Sequence, residues 1–167
     1  MPDLTDNINL FQPTGFKVNI DRKNYPNLEF FAQSVQHPGV SMTPAEVSYP
    51  RVRSIPYPGD GLSFGELSVI LLLDEDLNSY IEIYNWMTRM VKEPYVSGEK
   101  ALMEEKLASV TDVTVTALTS HNNPNKKIVY KDAMPTQLGD IEFQAANASV
   151  DYLTVPISFR YTYFEIQ

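Results

Sequence analysis

Two histidines and a scatter of serines are the side chains of this sequence that could begin nucleophilic or metal chemistry. His37 and His121 each sit in a turn-like segment rich in proline or asparagine. Neither has a ligand-type residue three or four positions away, whereas a zinc site needs clustered ligands. The chain has no cysteine, and no Gly-x-Ser-x-Gly elbow would expose a serine nucleophile. The sequence therefore predicts no catalytic residue and no metal site at these positions.

Carboxylates and glycines offer the remaining routes to a chemical site. Asp74, Glu75 and Asp76 lack the glycine and the twelfth-position glutamate of an EF-hand loop, so they indicate stabilisation of a helix end instead. The Pro-Gly-Asp-Gly run at 58–61 has neither the Lys-Ser/Thr of a phosphate loop nor the glycine spacing of a dinucleotide loop. We therefore expect no bound cofactor and no enzymatic activity.

The composition indicates an acidic protein of one domain, which is expected to span residues 1–167. Hydrophobic residues make up 43% of the chain, enough for a sizeable core. The net charge of −8, with scattered basic residues, argues against a surface that grips nucleic-acid phosphates. The absence of cysteine fits folding in a reducing compartment, and no secretory signal is expected. Synthesis and assembly are therefore expected in the cytoplasm.

The most apolar stretch, residues 62–73, is predicted to be a central, buried strand. An amphipathic helix is predicted to follow it over residues 77–91, because apolar residues recur there at three- and four-residue spacing. Those residues are Leu77, Tyr80, Ile81, Tyr84, Met87, Met90 and Val91. The helix is expected to bury this stripe against a sheet, with Asn78 or Ser79 as its cap.

Period-two alternation of apolar and polar residues recurs along the rest of the chain and predicts strands. The segments are 16–20, 28–36, 111–119, 126–131, 141–148 and 152–166. The first two are expected to pair as a hairpin, and residues 134–140 are expected to form a turn. A short second helix is expected at 97–108 and an amino-terminal arm at 1–14. The predicted fold is mainly β, an antiparallel β-sandwich or barrel with one flanking α-helix.

A proline-rich segment, residues 38–61, is predicted to be an extended loop. Its prolines disfavour both helix and central strand. Long loops inside compact domains are often functional, and this one is apolar. We therefore predict that it docks between subunits through Tyr49, Arg51, Val52, Ile55 and Tyr57. Packing of the loop back on its own domain is the alternative.

The order of these elements resembles the tail tube proteins of contractile-tailed phages of the T-even type. The segments that carry the resemblance are 16–20 (FKVNI), 37–41 (HPGVS), 58–64 (PGDGLSF), 72–76 (LLDED), 84–87 (YNWM), 134–141 (MPTQLGDI) and 159–166 (FRYTYFEI). None of these segments is specific by itself. Their order and spacing, from about residue 16 to the end, carry the likeness.

The resemblance implies a structural virion protein. Six copies would form a ring, and stacked rings would form the hollow inner tail tube through which DNA is ejected. A sheath protein would lie outside the tube, with baseplate initiators and a tail terminator at its ends. Neighbouring subunits would join their sheets edge to edge, and the helix would lie on the outer wall. Baseplate tube initiators and the tubes of contractile injection systems or type VI secretion are alternatives within the same fold.

Two further sets of residues are predicted for such a tube. Phe159, Tyr161 and Tyr163 on the last strand have few charges nearby, which suits pairing between strand edges of neighbouring copies. Asp112 and Glu142 are candidates for an acidic lumen wall, since each is expected on the polar face of a strand. Such a wall would not hold DNA.

A protein of a different class remains open, a monomeric β-sandwich binding module for a carbohydrate or a receptor. Its contact groups would be Tyr49 and Tyr57 in the proline-rich loop. The strand edges discriminate between the two classes. A tube subunit needs edges that can pair, whereas a soluble monomer protects its edges with charge or bulges.

Overall fold

Eleven β-strands and one long α-helix make up the described part of the chain. The computed structural model describes residues 12–21, 25, 28, 32–49, 52–92, 110–143 and 152–167, leaving aside the side chains of residues 49, 52, 53 and 92. The elements are β1 (Phe16–Ile20), β2 (Ala32–Gln36), β3 (Val40–Met42), β4 (Ala45–Tyr49), β5 (Val52–Tyr57), β6 (Leu62–Phe64), β7 (Leu67–Leu72), α1 (Asn78–Lys92), β8 (Thr111–Leu118), β9 (Pro124–Leu138), β10 (Thr154–Arg160) and β11 (Tyr163–Ile166). The predicted mainly β, antiparallel fold is confirmed. The predicted second helix, and the amino-terminal arm as far as residue 11, lie outside the described residues.

One seven-stranded antiparallel sheet is organised around its longest strand, β9. The strand order is β1-β8-β9-β10-β7-β2, and β11 also pairs with β9. The amino-terminal part of β9 pairs with β8 and β11, whereas its carboxy-terminal part pairs with β10. Strand β9 therefore joins two half-sheets. The β1 half contains β1, β8, β11 and β9 up to Ala133, and the β7 half contains β9 from Met134, β10, β7 and β2.

Both half-sheets bury their inner faces in one shared core. The central strand β7 shows the pattern most plainly, with Leu67, Val69 and Leu71 buried in alternation. Helix α1 lies against the same core through Ile83 and Trp86, whose side chains are fully buried. The described helix lacks the combination of length and apolarity that crossing a membrane requires.

The two half-sheets meet at a corner where neighbouring strands bend together. Asp132 of β9 has a positive φ of 54°. Its N–H donates to Asp112 Oδ1 at 3.3 Å, and its own Oδ2 accepts from Thr162 Oγ1 at 3.4 Å. Thr162 separates β10 from β11, and its N–H donates to the Lys131 carbonyl at 2.9 Å. Aspartate tolerates the left-handed region, so the strand bends while the polar groups at the corner stay paired.

The hairpin predicted from residues 16–36 is wrong. Strand β1 pairs with β8, and β2 pairs with β7. The two strands stand at opposite ends of the strand order. Alternation along a strand specifies which face is buried, but it does not specify which strand lies beside it.

The turn predicted at residues 134–140 is also wrong, because β9 continues to Leu138. Pro135 lies opposite Phe159, next to a register shift in β10, which is where a proline can be accommodated in a ladder. Of the strand predicted at 141–148, residues 141–143 are not a strand and the rest lie outside the described residues. The predicted long last strand is divided into β10 and β11.

Helix α1 begins where Asp74 accepts hydrogen bonds from its first residues. Asn78 Nδ2 donates to Asp74 Oδ2 at 2.8 Å, and Ser79 Oγ donates to Asp74 Oδ1 at 3.4 Å. Burial works to raise the pKa of Asp74, but hydrogen bonds from the Asn78 side chain and from the backbone outweigh it and lower this pKa. Asp74 is thus the acceptor at the helix end, whereas the predicted caps Asn78 and Ser79 are donors.

Replacing Asp74 by alanine is expected to lower the melting temperature at neutral pH. The folded-state pKa lies below the ordinary value of 3.8, so the stabilisation is present above that pH and is lost as the pH falls through the folded pKa. Melting curves of wild-type and Asp74→Ala protein should differ at pH 7 and converge below about pH 3. The exposed neighbour Asp76→Ala is the control. Identical melting of wild type and Asp74→Ala at pH 7 would contradict this role.

Candidate assembly surfaces

An antiparallel β-ribbon, called the arm here, leaves the main sheet between β2 and β7. Its root is the β3–β6 pair and its tip is the β4–β5 pair. Residues 40–48 are all exposed, although Val40, Met42 and Val47 are apolar. At the junction of root and tip, a Cβ on Gly59 would lie 1.9 Å from the Thr43 carbonyl oxygen, so only glycine fits. Much of the segment predicted to be an extended loop therefore forms paired strands, with a register shift between Val47 and Tyr49.

Aromatic contacts fasten the root of the arm to the main sheet. The His37 ring lies edge-on to the Phe164 ring of β11, with 5.0 Å between ring centroids. The ring centroid of Phe64 in β6 lies 5.5 Å from that of Phe164. His37 Nδ1 also lies 2.6 Å from the Tyr130 hydroxyl. Burial, aided by the neighbouring Tyr161 phenol, raises the pKa of Tyr130, so this hydroxyl keeps its proton and can donate to an unprotonated Nδ1. The arm is thus joined to the sheet by side chains as well as by the backbone.

Within the main sheet, three of the described strands pair with a single neighbouring strand. Strand β1 pairs only with β8, β11 only with β9, and β2 only with β7. In the β1 half, the unpaired edges belong to β1 and β11, on opposite sides of four strands. Unpaired N–H and C=O groups along an edge are a template for pairing with another chain. Two different edges on opposite sides suit head-to-tail contacts between copies.

The β1 half turns a polar face away from the core. Lys17 and Asn19 of β1 are exposed, and in register with them lie Thr116 and Thr114 of β8. Together with Lys127 of β9 they line a depression of about 380 Å³, whose lining also includes Leu118, Pro124, Val129 and Gln167. The five residues Lys17, Asn19, Thr114, Thr116 and Lys127 are called the polar face here.

An ion pair between Asp112 and Lys131 lies beside the corner of the sheet. The Lys131 Nζ and Asp112 Oδ2 atoms are 2.6 Å apart, and this hydrogen bond raises the pKa of Lys131. Because both side chains are solvent-accessible, the pair adds little to stability, but it neutralises the charge of Asp112 locally. Across the described residues, no group of three His, Asp or Glu side chains could hold a metal ion.

An apolar groove of about 580 Å³ runs between α1 and the carboxy-terminal part of β9. Its lining residues are Tyr80, Tyr84, Met87, Thr88, Val91, Thr136, Gln137 and Leu138. Tyr84 is 56% exposed and Val91 is 68% exposed. The expectation that the helix buries its whole apolar stripe is therefore wrong, because the groove leaves part of it uncovered.

The sequence matches the family model for phage tail tube protein over residues 4–167. The match spans the arm and both half-sheets. The chain belongs to the phage tail tube protein family. The resemblance inferred from the order of the sequence segments is confirmed.

Several solved structures share this fold at low sequence identity. The tube-terminating cap of the anti-feeding prophage gives a TM-score of 0.68 at 13% identity, covering 99% of this chain and 95% of that chain. The sheath–tube complex of the extracellular injection system PVC gives 0.65 at 14% identity, covering 95% and 91%. An Hcp protein gives 0.50 at 11% identity, covering 91% and 98%. At these identities the likeness shows the fold alone. No curated protein matches the sequence significantly.

Five residues were predicted to dock between subunits of the tube. Those that the structure describes lie on the tip of the arm. Ile55 and Tyr57 belong to β5, the first half-buried and the second exposed. Tyr49 ends β4 and Val52 begins β5, and their side chains are not described. Arg51 lies outside the described residues. Docking through these residues remains a prediction. The segment that would dock is a β-ribbon and not an irregular loop.

The residues predicted for edge pairing have three different environments. Phe159 is 1% exposed on β10, between β9 and β7, so its assignment to a strand edge is wrong. Tyr161 follows β10 and packs 4.9 Å from the Tyr130 ring. Tyr163 begins the edge strand β11 and is exposed. The break before Tyr163 reverses the alternation, so Phe164 faces the core instead.

Of the two lumen candidates, one lies on a strand and the other does not. Asp112 is exposed on β8, where it pairs with Lys131. Glu142 lies after the end of β9, so its expected position on the polar face of a strand is wrong. The polar face carries Lys17 and Lys127 and no acidic residue, so it is basic, unlike the acidic lumen wall predicted from the sequence.

His37 and Tyr130 have a role that the sequence pattern did not show. His37 was interpreted as a turn residue, and Tyr130 as an ordinary strand residue. They are 93 positions apart in the sequence, and only the tertiary structure brings the two side chains within hydrogen-bonding distance. No local spacing signal connects such residues.

Proposed function

We propose that this chain is the subunit of the inner tube of a contractile tail, in which six copies form a ring and stacked rings enclose a channel for DNA ejection. The observation that supports this best is the β1 half, a four-stranded sheet with unpaired edges on opposite sides in a tail tube family member. Pairing of β1 in one copy with β11 in the next would continue the sheet around a ring.

The proposed partners follow from the place of such a tube in a virion. A sheath protein would surround it, baseplate initiators and a tail terminator would adjoin its ends, and assembly would occur in the host cytoplasm. Structures of a sheath–tube complex and of a tube-terminating cap have the same fold, which supports these partners. The net charge of −8 disfavours retention of DNA by the protein as a whole, although the polar face itself carries two lysines and no acid.

A tube subunit of an extracellular contractile injection system is the second candidate. The TM-scores to such systems, 0.65 and 0.68, exceed the 0.50 to the Hcp protein. Both candidates assemble as tubes and differ in what passes through the channel. The monomeric binding module differs from both because it would not assemble.

The test of tube formation is negative-stain electron microscopy of the purified protein over a range of concentrations, with light scattering for mass. Hollow tubes or rings with six-fold symmetry are the expected result, either spontaneously or after seeding with baseplates. A monomer that neither assembles at high concentration nor extends seeded baseplates would reject the tube subunit. It would leave the binding module.

The polar face is proposed to line the channel of the tube. Since the chain has no cysteine, one thiol can be placed there as Thr116→Cys and another on the outward side of α1 as Asn85→Cys. In assembled tubes we expect the Thr116→Cys thiol to react with a small maleimide but not with a maleimide attached to a large protein. The Asn85→Cys thiol should react with both reagents.

Unassembled protein provides the control for this labelling. Both thiols should react with both reagents when the chain is dilute, because no channel then shields Thr116→Cys. Equal labelling of the two thiols by the large reagent in intact tubes would place the polar face on the outside and remove Lys17 and Lys127 as lumen residues.

A further inference from the structure

The outermost strands of the β1 half, β1 and β11, carry opposite charges on the same side of the sheet. One row of aligned residues crosses this half, namely Lys17, Thr116, Lys127 and Gln167. Aligned residues in a sheet point to the same face, and Glu165 lies two positions before Gln167. Lys17 and Glu165 therefore both project on the side of the polar face, where both are exposed.

The other side of β11 leaves an apolar side chain uncovered. Phe164 packs on the core, but Ile166, on the same face of the strand, is 64% exposed. On β1 the core-facing side chains include Phe16 and Val18, and Phe16 is only partly buried. Each of the two strands thus combines an apolar side with a charged side, and the two charges are opposite.

Strand directions fix how β1 and β11 of two copies meet in a ring. Strand β1 is antiparallel to β8, β8 to β9, and β9 to β11, so β1 and β11 run in opposite directions. Rotation about a ring axis keeps these directions. Strand β1 of one copy and β11 of the next therefore pair as antiparallel strands, and only even shifts of their register keep apolar and polar sides together.

Charge and ring closure select among the even registers. Continuing the row of aligned residues without a shift places Lys17 opposite Gln167 of the next copy, but closing a sheet requires a stagger of its strands. A shift of two positions in one direction places Asp21 opposite Glu165, a contact between like charges. The same shift in the other direction places Lys17 opposite Glu165.

We propose that Lys17 of one copy and Glu165 of the next form an ion pair that sets the register of the ring, an inference that rests on the proposed tube function and specifies its contact. Opposite charges directly across an antiparallel pair attract each other, whereas like charges there repel. The ion pair also offsets part of the repulsion between copies that each carry a net charge of −8.

The same register covers the exposed apolar side chain of β11. Ile166 then lies opposite Phe16, and Phe164 lies opposite Val18, all on the core side of the sheet. Joining the strands removes apolar area of Ile166 from water, which favours assembly. The apolar contact supplies attraction, and the ion pair on the other side specifies the register.

Charge exchange tests the ion pair. Lys17→Glu and Glu165→Lys each replace the attraction by a contact between like charges and should raise the concentration needed for tube assembly roughly 2- to 30-fold. The combined variant Lys17→Glu/Glu165→Lys restores the pair with its charges exchanged, so this concentration should return to the wild-type value. The matched control is Lys126→Glu/Glu165→Lys, which has the same net charge. Lys126 is exposed on β9, inside the sheet, so assembly of this control should stay impaired.

Disulfide formation measures the register directly, because the chain has no cysteine. In the proposed register Asn19 lies opposite Tyr163 of the next copy, so tubes of Asn19→Cys/Tyr163→Cys protein should form a ladder of covalent oligomers under mild oxidation. Within one copy these positions lie three strand spacings apart, about 14 Å, too far for a disulfide. The control Asp21→Cys/Tyr163→Cys reports the unshifted register and should give no ladder. Circular dichroism checks that each variant folds.

The outcomes separate this proposal from the proposed function. Recovery of assembly in Lys17→Glu/Glu165→Lys protein, together with the Asn19→Cys/Tyr163→Cys ladder, supports the ion pair. Normal assembly of Glu165→Lys protein, or a ladder from Asp21→Cys/Tyr163→Cys instead, overturns the register while the tube function stands. Failure of the wild-type chain to form tubes, even after seeding with baseplates, overturns the function and this contact together.

Discussion

Replacing Gly59 by alanine is expected to weaken tube assembly strongly while the main sheet stays folded. A Cβ at this position would lie 1.9 Å from the Thr43 carbonyl oxygen and 3.0 Å from its carbonyl carbon, and backbone atoms cannot move aside cheaply. Overpacking of this kind costs about 1–3 kcal/mol. A two-stranded ribbon is marginal by itself, so the strain should part the strands where root and tip of the arm meet.

The consequence is an arm that no longer presents its apolar side chains in one arrangement. A loss of about 1–3 kcal/mol per contact would raise the concentration required for assembly roughly 5- to 150-fold. The control is Gly61→Ala, two positions further on, where an added Cβ meets nothing within 4 Å. Electron microscopy and sedimentation measure the assembly, and circular dichroism measures the fold. Normal tubes from Gly59→Ala protein would show that arm geometry does not govern assembly.

Truncation of Trp86 to alanine should produce the largest loss of stability. The Trp86 side chain is fully buried, stacked 4.6 Å from the Tyr25 ring and 6.1 Å from Phe159 of β10. Removing a buried tryptophan costs about 3–5 kcal/mol, a large part of the roughly 5–15 kcal/mol that stabilises a domain. The melting temperature should fall by about 6–20 °C for a chain of this size.

Tyr84→Ala is the matched control for Trp86→Ala, since it removes an aromatic ring from the exposed side of the same helix. Its unfolding free energy should change by no more than about 0.5 kcal/mol, because exposed substitutions rarely do more. Chemical denaturation of the unassembled chain provides both values. Similar losses for the two variants would mean that Trp86 is not the core residue that joins α1 to β10.

The elements predicted correctly are those whose pattern is local. Helix α1 agrees with the three- and four-residue spacing, because the burial of one helix face depends on residues close together in the sequence. The buried central strand predicted at 62–73 is right only for β7; its first part is the separate strand β6 of the arm, where Leu62 is exposed. The acidic triplet was interpreted as a helix-end feature for the same reason, and Asp74 occupies that position.

The errors arose where distant strands impose a local shape. Pro135 and Gly139 are turn-forming residues, yet β9 runs past Pro135 because β10 supplies a register shift opposite it. Phe159 and Tyr163 are an even number of positions apart, so a continuous strand would place both side chains on the same face. The break between β10 and β11 at Thr162 reverses the faces, and Phe159 is buried whereas Tyr163 is exposed. That break is held by Asp132 and Lys131 on another strand.

By itself, the sequence determined the class of the fold, the helix, the buried face of β1, β7 and β8 and, through the order of its segments, the resemblance to tail tube proteins. Composition and spacing also pointed away from enzyme chemistry. Each of these is a property of neighbouring residues or of their order.

Only the tertiary structure decided which strands are neighbours, which edges stay unpaired and where apolar surface remains uncovered. Pairing and exposure depend on contacts between residues far apart in the chain, such as His37 with Tyr130. For that reason the arm root, the polar face and the groove beside α1 could not be read from spacing.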